Sequence, residues 1–345
     1  MRFMVDKKRI KFIINPLSGT GNKNLIIKSI GNYINIDIYD YDIAMSEYAG
    51  HAKVIAKECV ENGYYAVVCV GGDGTVNEIG SSLINSNTVM GIIPCGSGNG
   101  LANTLHIPHN AHECMKIINS SLTHSIDYGT ISDNPFFCTC GVGFDAFISM
   151  KFSEAGKRGP RTYIEKTLNE YLKYKPETYT LETESGEKKY KAFLITCANA
   201  SQYGNNAYIA PQASMRDGLM DVTILEPFTV LDIPTLTLQL FTRTIDLNGR
   251  IKTFRCKKLT IHRSNEGTAH VDGNPLNLGN DLPVEIIHNG LKIIVPRKII
   301  HHDLPFIKKT TAFVNPLINE MATKNRKLIK KNLDYLEKLK NTFGL

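Results

Sequence analysis

A chain of 345 residues with 42% hydrophobic and 21% charged side chains is long for one core and suits two globular domains. No window holds the ~18–20 uncharged apolar residues of a membrane span, and Met1-Arg2-Phe3-Met4-Val5-Asp6-Lys7-Lys8-Arg9 lacks the apolar region of a signal peptide. The eight cysteines show no metal-ligand spacing, and Cys69 and Cys197 sit inside apolar runs as buried thiols do, so the expected setting is cytoplasmic and reduced. The formal charge of +7 suits an anionic membrane surface or a phosphate ligand and selects neither. No nucleic-acid partner is expected.

Lys11-Phe12-Ile13-Ile14 reads as a first strand and runs into Asn15-Pro16-Leu17-Ser18-Gly19-Thr20-Gly21-Asn22-Lys23, a loop rich in Gly, Ser and Asn that ends in a lysine. A helix follows, with Leu25, Ile26, Ile30 and Tyr33 as its apolar positions. Ile36 to Tyr41 alternates like a strand, and Ser46 to Asn62 reads as a helix capped by Ser46, with Glu47 in its first turn. Val67 to Val70 has no polar alternation, as in a buried parallel strand. It breaks into Gly71-Gly72-Asp73-Gly74, and Thr75-Val76-Asn77-Glu78 starts a helix over 75–85 with Val76, Ile79 and Leu83 on one face. Strand, glycine turn and helix start bring free backbone N–H groups to one point, which suits phosphate. Asp73 is out of place in a bare phosphate cradle. It fits if Mg²⁺ intervenes, or if the carboxylate handles the proton of an attacking hydroxyl. Met90 to Pro94 is the next strand, followed by a third glycine loop, Cys95-Gly96-Ser97-Gly98-Asn99-Gly100. Strands alternating with helices predict a parallel sheet whose ligand lies beyond the carboxyl ends of the strands, where all three loops fall. A nucleotide-phosphate site is expected there.

From about residue 125 short strands predominate, at 136–142, 178–183, 190–198, 219–225, 251–262, 268–272 and 284–295, as in an antiparallel β-sandwich. Phe144 to Lys173 is a helical interruption carrying Lys157-Arg158-Gly159-Pro160-Arg161, either a solvated loop, a flap over the nucleotide or a contact for lipid headgroups. Asp217-Gly218 reads as a turn before strand Leu219 to Leu225. From Asn319 the tail is basic, with Ile329, Leu333, Leu336 and Phe343 at roughly helical spacing; such a helix can lie on an anionic bilayer, pack on its own protein or join a partner subunit in a homodimer. The expected division is 1–125, 126–300 and 301–345, the last including a segment near Thr311-Ala312-Phe313 that returns to the first domain.

The Gly71-Gly72-Asp73-Gly74 stretch, with Asn15-Pro16-Leu17-Ser18-Gly19 before it and Gly96-Ser97-Gly98-Asn99 after it, resembles the signature of the diacylglycerol kinase catalytic-domain family. That family includes bacterial lipid kinases, sphingosine kinases and ceramide kinases; NAD kinases and phosphofructokinases share the Gly-Gly-Asp-Gly element at greater distance. The resemblance covers roughly residues 8 to 300. It implies an α/β N-terminal domain with a parallel sheet, then an all-β antiparallel sandwich, with lipid entering near their junction. It implies ATP and Mg²⁺ as cofactors and a lipid substrate. Phosphate contacts are implied from Asn15, Ser18, Gly19 and Lys23, and further parts of the nucleotide-cofactor site from Gly71, Gly72, Asp73, Gly74, Thr75 and Glu78 and from Gly96, Ser97, Gly98 and Asn99. Ser46 stands where the family's Thr-x-x-x-Gly-His-Ala element contacts the nucleotide. The Asp-Gly-Leu-x-Asp element at Asp217 to Asp221 implies a structural Mg²⁺ held by Asp217 and the carbonyls of Ser214 and Leu219. Asn199-Ala200 and Gly141 to Ala146 are also family-like, with Asp145 facing substrate or making a structural hydrogen bond.

Two departures from the pattern bear on activity. Bacterial members read Gly-Asn-Asp in the third loop, where this chain has Gly100, closer to the sphingosine and ceramide kinase branch. They also read Val-Asp-Gly-Glu where this chain has Val271-Asp272-Gly273-Asn274, and Asn274 cannot accept a proton near neutral pH. Either Asp73 or Asp272 takes the base role, Asp73 being favoured by the resemblance to sphingosine kinases, or the reaction runs without a base at a loss of ~10²–10⁴-fold. The expected function is an ATP- and Mg²⁺-dependent lipid kinase acting on a diacylglycerol or sphingoid-base hydroxyl. The alternatives are a catalytically impaired nucleotide- or lipid-binding protein and, as the enzymatic rival, an NAD kinase.

Overall fold

The computed structural model describes residues 7–19, 23–155 and 174–297. The basic run at 157–161, the segment at 311–313 and the basic tail lie outside the described residues. The first half follows a strand–helix alternation: β1 (Lys8–Ile14), α1 (Lys23–Tyr33), β2 (Tyr39–Met45), α2 (His51–Glu61), β3 (Ala66–Gly71), α3 (Asp73–Leu83), β4 (Val89–Pro94), α4 (Gly100–Thr104) and α5 (Ala111–Ser120). β3 and β4 are apolar because every one of their residues is buried, whereas β1 starts with the exposed Lys8 and Arg9 and is buried from Phe12 to Ile14. The strands pair in parallel in the order β2-β1-β3-β4, so the three glycine loops leave from one edge.

The second half is β5 (Thr123–Ile131), β6 (Asn134–Phe136), β7 (Thr139–Gly143), α6 (Phe144–Ala155), β8 (Glu177–Thr183), β9 (Gly186–Ala192), β10 (Leu194–Ala198), β11 (Met220–Leu225), α7 (Ile233–Thr242), β12 (Ile251–Cys256), β13 (Lys258–His262), β14 (Gly267–Val271), β15 (Asn274–Leu278) and β16 (Asp281–Ile294). β12-β11-β10-β7-β14-β15 form an antiparallel six-stranded sheet. Its inner face, with Cys140, Val142, Ile195, Cys197, Val222 and Ile224, packs on Tyr179, Leu181, Leu259, Ile261, Leu282 and Val284 of the opposing sheet. The expected sandwich is present. Among the described residues, no helix is long and apolar enough to cross a membrane.

Four expectations are corrected. The boundary drawn at residue 125 falls inside β5, and the two halves share one ten-stranded sheet because β16 pairs antiparallel with β5 and β13 and parallel with β4. The strands read as 136–142, 190–198 and 251–262 each split in two, the chain crossing between sheets at Phe137-Cys138, Phe193 and Lys257. The strand read at Ile36–Tyr41 starts later, because the side chain of Asn35 accepts from Asp37 N (3.0 Å) and its carbonyl from Tyr39 N (2.9 Å), making a turn. Ser46 does not cap α2. Its N–H donates to Ile14 O (2.9 Å), and the helix begins five residues later behind Gly50 at φ 87°.

Candidate active site

The ends of β1, β3 and β4 place the three glycine loops against one another, backbone to backbone. Gly72 and Gly96 touch so closely that a Cβ on Gly96 would lie 2.5 Å from Gly72 Cα, and one on Gly72 would lie 2.9 Å from Gly96 Cα. Gly19, at φ 62°, backs onto the third loop, where a Cβ would lie 1.8 Å from Cys95 O. Only glycine permits this approach, which explains the composition of all three loops. Side chains then tie them together. Asn15 Nδ2 donates to Thr75 Oγ1 (3.0 Å), Ser18 Oγ donates to Asn15 O (2.9 Å), and Lys23 Nζ donates to Ser18 O. Asn99, at φ 51°, closes the third loop on itself, accepting from Gly96 N at 2.9 Å and donating to Gly96 O at 2.8 Å.

Asp73 opens α3 and bridges two of the loops. Its Oδ2 accepts from Asn99 N (2.8 Å) and its Oδ1 from Gly100 N (2.7 Å), so each oxygen keeps one lone pair. Burial pushes the Asp73 carboxyl above the usual carboxylate range; the two amides pull it back, and the charge of Asp272 pushes it up again. Asp272 is held differently. Its Oδ1 accepts from Cys138 N (2.7 Å) and Thr139 N (3.1 Å), and its Oδ2 from Asn77 Nδ2 (2.8 Å) and Phe137 N (2.9 Å). Four donors fill its lone pairs and leave none for a substrate proton. Asn274, exposed on the turn that follows, faces the glycine turn: its Oδ1 lies 3.7 Å from the Cβ position of Gly74. Sequence-distant Asp272 and Asn274 therefore meet the N-terminal end of α3.

Glu78 lies one turn further along α3 and accepts from Gly50 N (3.1 Å), bracing the loop that carries Ser46. Ser97 is exposed at the tip of the third loop, and Ser46 is buried at the end of β2. Sequence reasoning missed the loop at 203–206, which closes the site from the second domain. Asn205 N and Asn103 Nδ2 both donate to Gly98 O (3.2 and 2.9 Å), and Gly204, at φ 127°, packs on Gly98. The Gly204-Asn205-Asn206 triplet was the available turn signal. Asn77 was missed too, although it reaches both Asp272 and Pro135 O (3.0 Å).

Beside this loop, Asp145 Oδ2 collects Thr196 Oγ1 (2.8 Å), Tyr203 OH (3.1 Å) and His270 Nε2 (3.1 Å). The carboxylate makes structural hydrogen bonds from three elements. The Mg²⁺ reading at Ser214, Asp217 and Leu219 does not fit the donor set. The Arg255 guanidinium contacts Asp217 Oδ2 through Nη2, and Leu219 N donates to Asp217 Oδ1 (3.2 Å). Among the described residues, no three His, Cys, Asp or Glu side chains gather in a way that could hold an ion.

Comparison with known proteins places this geometry. Residues 9–131 match the family described as diacylglycerol kinase catalytic domain, and residues 139–297 match the YegS C-terminal NAD kinase beta sandwich-like domain. The "Probable lipid kinase YegS-like" of Chromohalobacter salexigens is 32% identical over 188 residues, 53% of this chain and 60% of that relative's length. The chain thus spans less than two thirds of that protein. The "Probable lipid kinase YegS" of Escherichia coli is 25% identical over 287 residues, 81% of this chain and 94% of its own. In fold, the chain is similar to a crystal structure of a diacylglycerol kinase from Bacillus anthracis, with a TM-score of 0.66 at 19% identity, covering 86% of this chain and 100% of that one. It is also similar to an NAD kinase from Archaeoglobus fulgidus in complex with ATP, with a TM-score of 0.51 at 13% identity, covering 87% and 99%.

Proposed function

Because the chain belongs to the diacylglycerol kinase catalytic-domain family, we propose that it is a lipid kinase that transfers the γ-phosphate of Mg·ATP to a lipid hydroxyl of diacylglycerol or sphingoid-base type. The observation that carries this reading is the meeting of three glycine loops around Asp73, whose carboxylate has lone pairs to spare where that of Asp272 has none. The backbone amides and the start of α3 bind the phosphates, and Lys23 and Asn15 hold the first loop in place. Asp73 takes the proton of the acceptor hydroxyl, its affinity for that proton raised by burial. Asn274, facing Gly74, orients that hydroxyl without taking its proton. Mg²⁺ neutralises charge on the phosphates as part of the nucleotide substrate. A lipid acceptor brings the enzyme to a bilayer surface as a peripheral protein.

A second reading, an impaired binding protein, is favoured by one specific observation. Position 100 is tight for the aspartate of bacterial members: a Cβ there would lie 3.1 Å from Tyr203 O and 3.3 Å from Cys138 Sγ, so the neighbours would have to give by a few tenths of an ångström. The test is to incubate the protein with labelled ATP, Mg²⁺ and dispersed diacylglycerol, sphinganine, ceramide and monoacylglycerol, with NAD as a further acceptor. Transfer to one lipid, lost in Asp73→Asn, supports the kinase. Intact nucleotide binding with no transfer, and activity appearing in Asn274→Glu, supports the impaired reading. Transfer to NAD alone overturns both.

A further inference from the structure

The segment 214–221 links three parts of the fold, and its charges are arranged in an unexpected way. At one end, Met215 O accepts from Asp127 N (2.8 Å) and Gly218 N donates to Asp127 Oδ2 (2.7 Å). The fully buried Asp127 lies on β5, and its Oδ1 accepts from His288 Nδ1 and Asn289 N (both 2.8 Å) on β16. Those two donors sit in the irregularity between Ile287 and Leu291, where β16 passes from the sandwich to the α/β sheet. At its other end the segment runs into β11, where Asp221 pairs directly with Arg255 across to β12. Arg255 Nε lies 3.2 Å from Asp221 Oδ2, while Nη2 of the same guanidinium reaches Asp217 Oδ2.

We infer that Arg255 is the resident cation of this segment, a fixed side-chain charge that spans Asp217 and Asp221 and makes the junction of the two sheets independent of a divalent metal. The strand register argues for it first. Directly opposed residues on adjacent strands project on the same face, so backbone pairing delivers Arg255 to Asp221, and its guanidinium reaches on to Asp217 just before β11. Shape argues for it next. A planar guanidinium presents its donors in a fork that can serve two carboxylates at once, which an ammonium group does not do. Charge argues against a second occupant. A divalent ion needs Asp217 oxygens within ~2.0–2.6 Å, which would set it beside the guanidinium in repulsion, and one Asp217 oxygen already accepts from Leu219 N. The aspartates are partly buried and share the Arg255 guanidinium, so removing it leaves two facing carboxylates without that counter-charge.

The test reads folding, not turnover, so it stands apart from the lipid-kinase reading. Full-length protein without nucleotide is melted with EDTA, with MgCl2 and with CaCl2, and Mg²⁺ binding is followed by calorimetry. The expected result is a melting temperature that moves by less than about 1 °C across the three conditions. In Arg255→Met it falls by about 2–6 °C and is partly restored by millimolar Mg²⁺, which can then enter between the carboxylates. A drop of the wild-type melting temperature in EDTA by more than about 5 °C overturns the inference. Stoichiometric Mg²⁺ binding that disappears in Asp217→Asn does so too, as does an Arg255→Met melting temperature equal to wild type. If Arg255→Met does not accumulate folded, the wild-type measurements with and without metal decide alone.

Discussion

Replacing Asp272 by asparagine separates a structural clasp from a catalytic base. Residue 272 sits at φ 48°, a conformation that asparagine tolerates as well as aspartate, so backbone strain cancels in the comparison. The side-chain shape is kept, but one acceptor oxygen becomes an NH2 donor. Whichever way the amide turns, two of the four donors then face another donor. With the nitrogen toward the Oδ2 side, Asn77 can rotate its amide to present oxygen, though its bond to Pro135 O is then lost; Phe137 N–H cannot move. With the nitrogen toward the Oδ1 side, the stranded groups are the amides of Cys138 and Thr139. A stranded buried donor costs about 1–3 kcal/mol, and the surviving bonds lose their charge assistance, together about 3–5 kcal/mol. Against a typical stability of about 5–15 kcal/mol this is a large fraction. Urea unfolding reads it as a lower midpoint at unchanged slope. A stability loss below about 1 kcal/mol, joined to turnover slowed by about a hundredfold or more, would refute the reasoning and make Asp272 the proton acceptor.

Other outcomes follow from the same geometry. Gly96→Ala forces a methyl group against Gly72, and is expected to weaken ATP binding about tenfold or more and to cost about 1–3 kcal/mol; unchanged binding by calorimetry would mean that the loops do not need their contact. The rate profile is expected to fall on its acid side at a pH above 3.8, the ordinary aspartate value, because burial raises the Asp73 carboxyl; an acid limb below that value would remove Asp73 from the proton step. His262 hydrogen-bonds Asp281 and Glu182, in that order of effect, and its pKa is raised from 6.5. Its contribution to stability is therefore fully present below pH 6.5 and fades as pH rises through the folded-state value. His262→Gln is expected to flatten that slope in thermal unfolding. Arg263 donates to the carbonyls of Gly267, Thr268, Leu278 and Gly279 at 2.6–3.1 Å, so Arg263→Met is expected to cost about 2–4 kcal/mol in urea unfolding.

The glycine loops were legible because their chemistry is local. A backbone that must touch another backbone admits only glycine, and Gly19, Gly72 and Gly96 announce that need in the sequence itself. The alternation of strands and helices in the first half was legible for a similar reason, since β3 and β4 are buried on both faces and carry no polar residue inside. What depends on register was not. The sequence at Phe193 and at Lys257 looks continuous, yet the chain changes sheet at each, because the burial that follows is decided by the opposite layer. Ser46 is a good capping residue by type, but the bond of its N–H to Ile14 O keeps it in the sheet, and the helix waits for Gly50. The difference between Asp73 and Asp272 was not legible in the residues themselves, and only the resemblance favoured Asp73. Both are aspartates in glycine turns; only the count of donors around each, two against four, distinguishes them.

β16 carries a consequence for how the protein is made. The free edge of β4 finds its partner in β16, where Ile293 lies opposite Met90, at the far end of the last described strand. On the ribosome the α/β half emerges first, with its central sheet open along β4 until some two hundred further residues have been synthesised. Such an edge invites pairing with a wrong chain, so nascent protein must either be shielded or delay its collapse. Shortened chains that end before residue 281 would leave the ribosome with that edge permanently bare, and would be expected in the insoluble fraction even though every glycine loop is present.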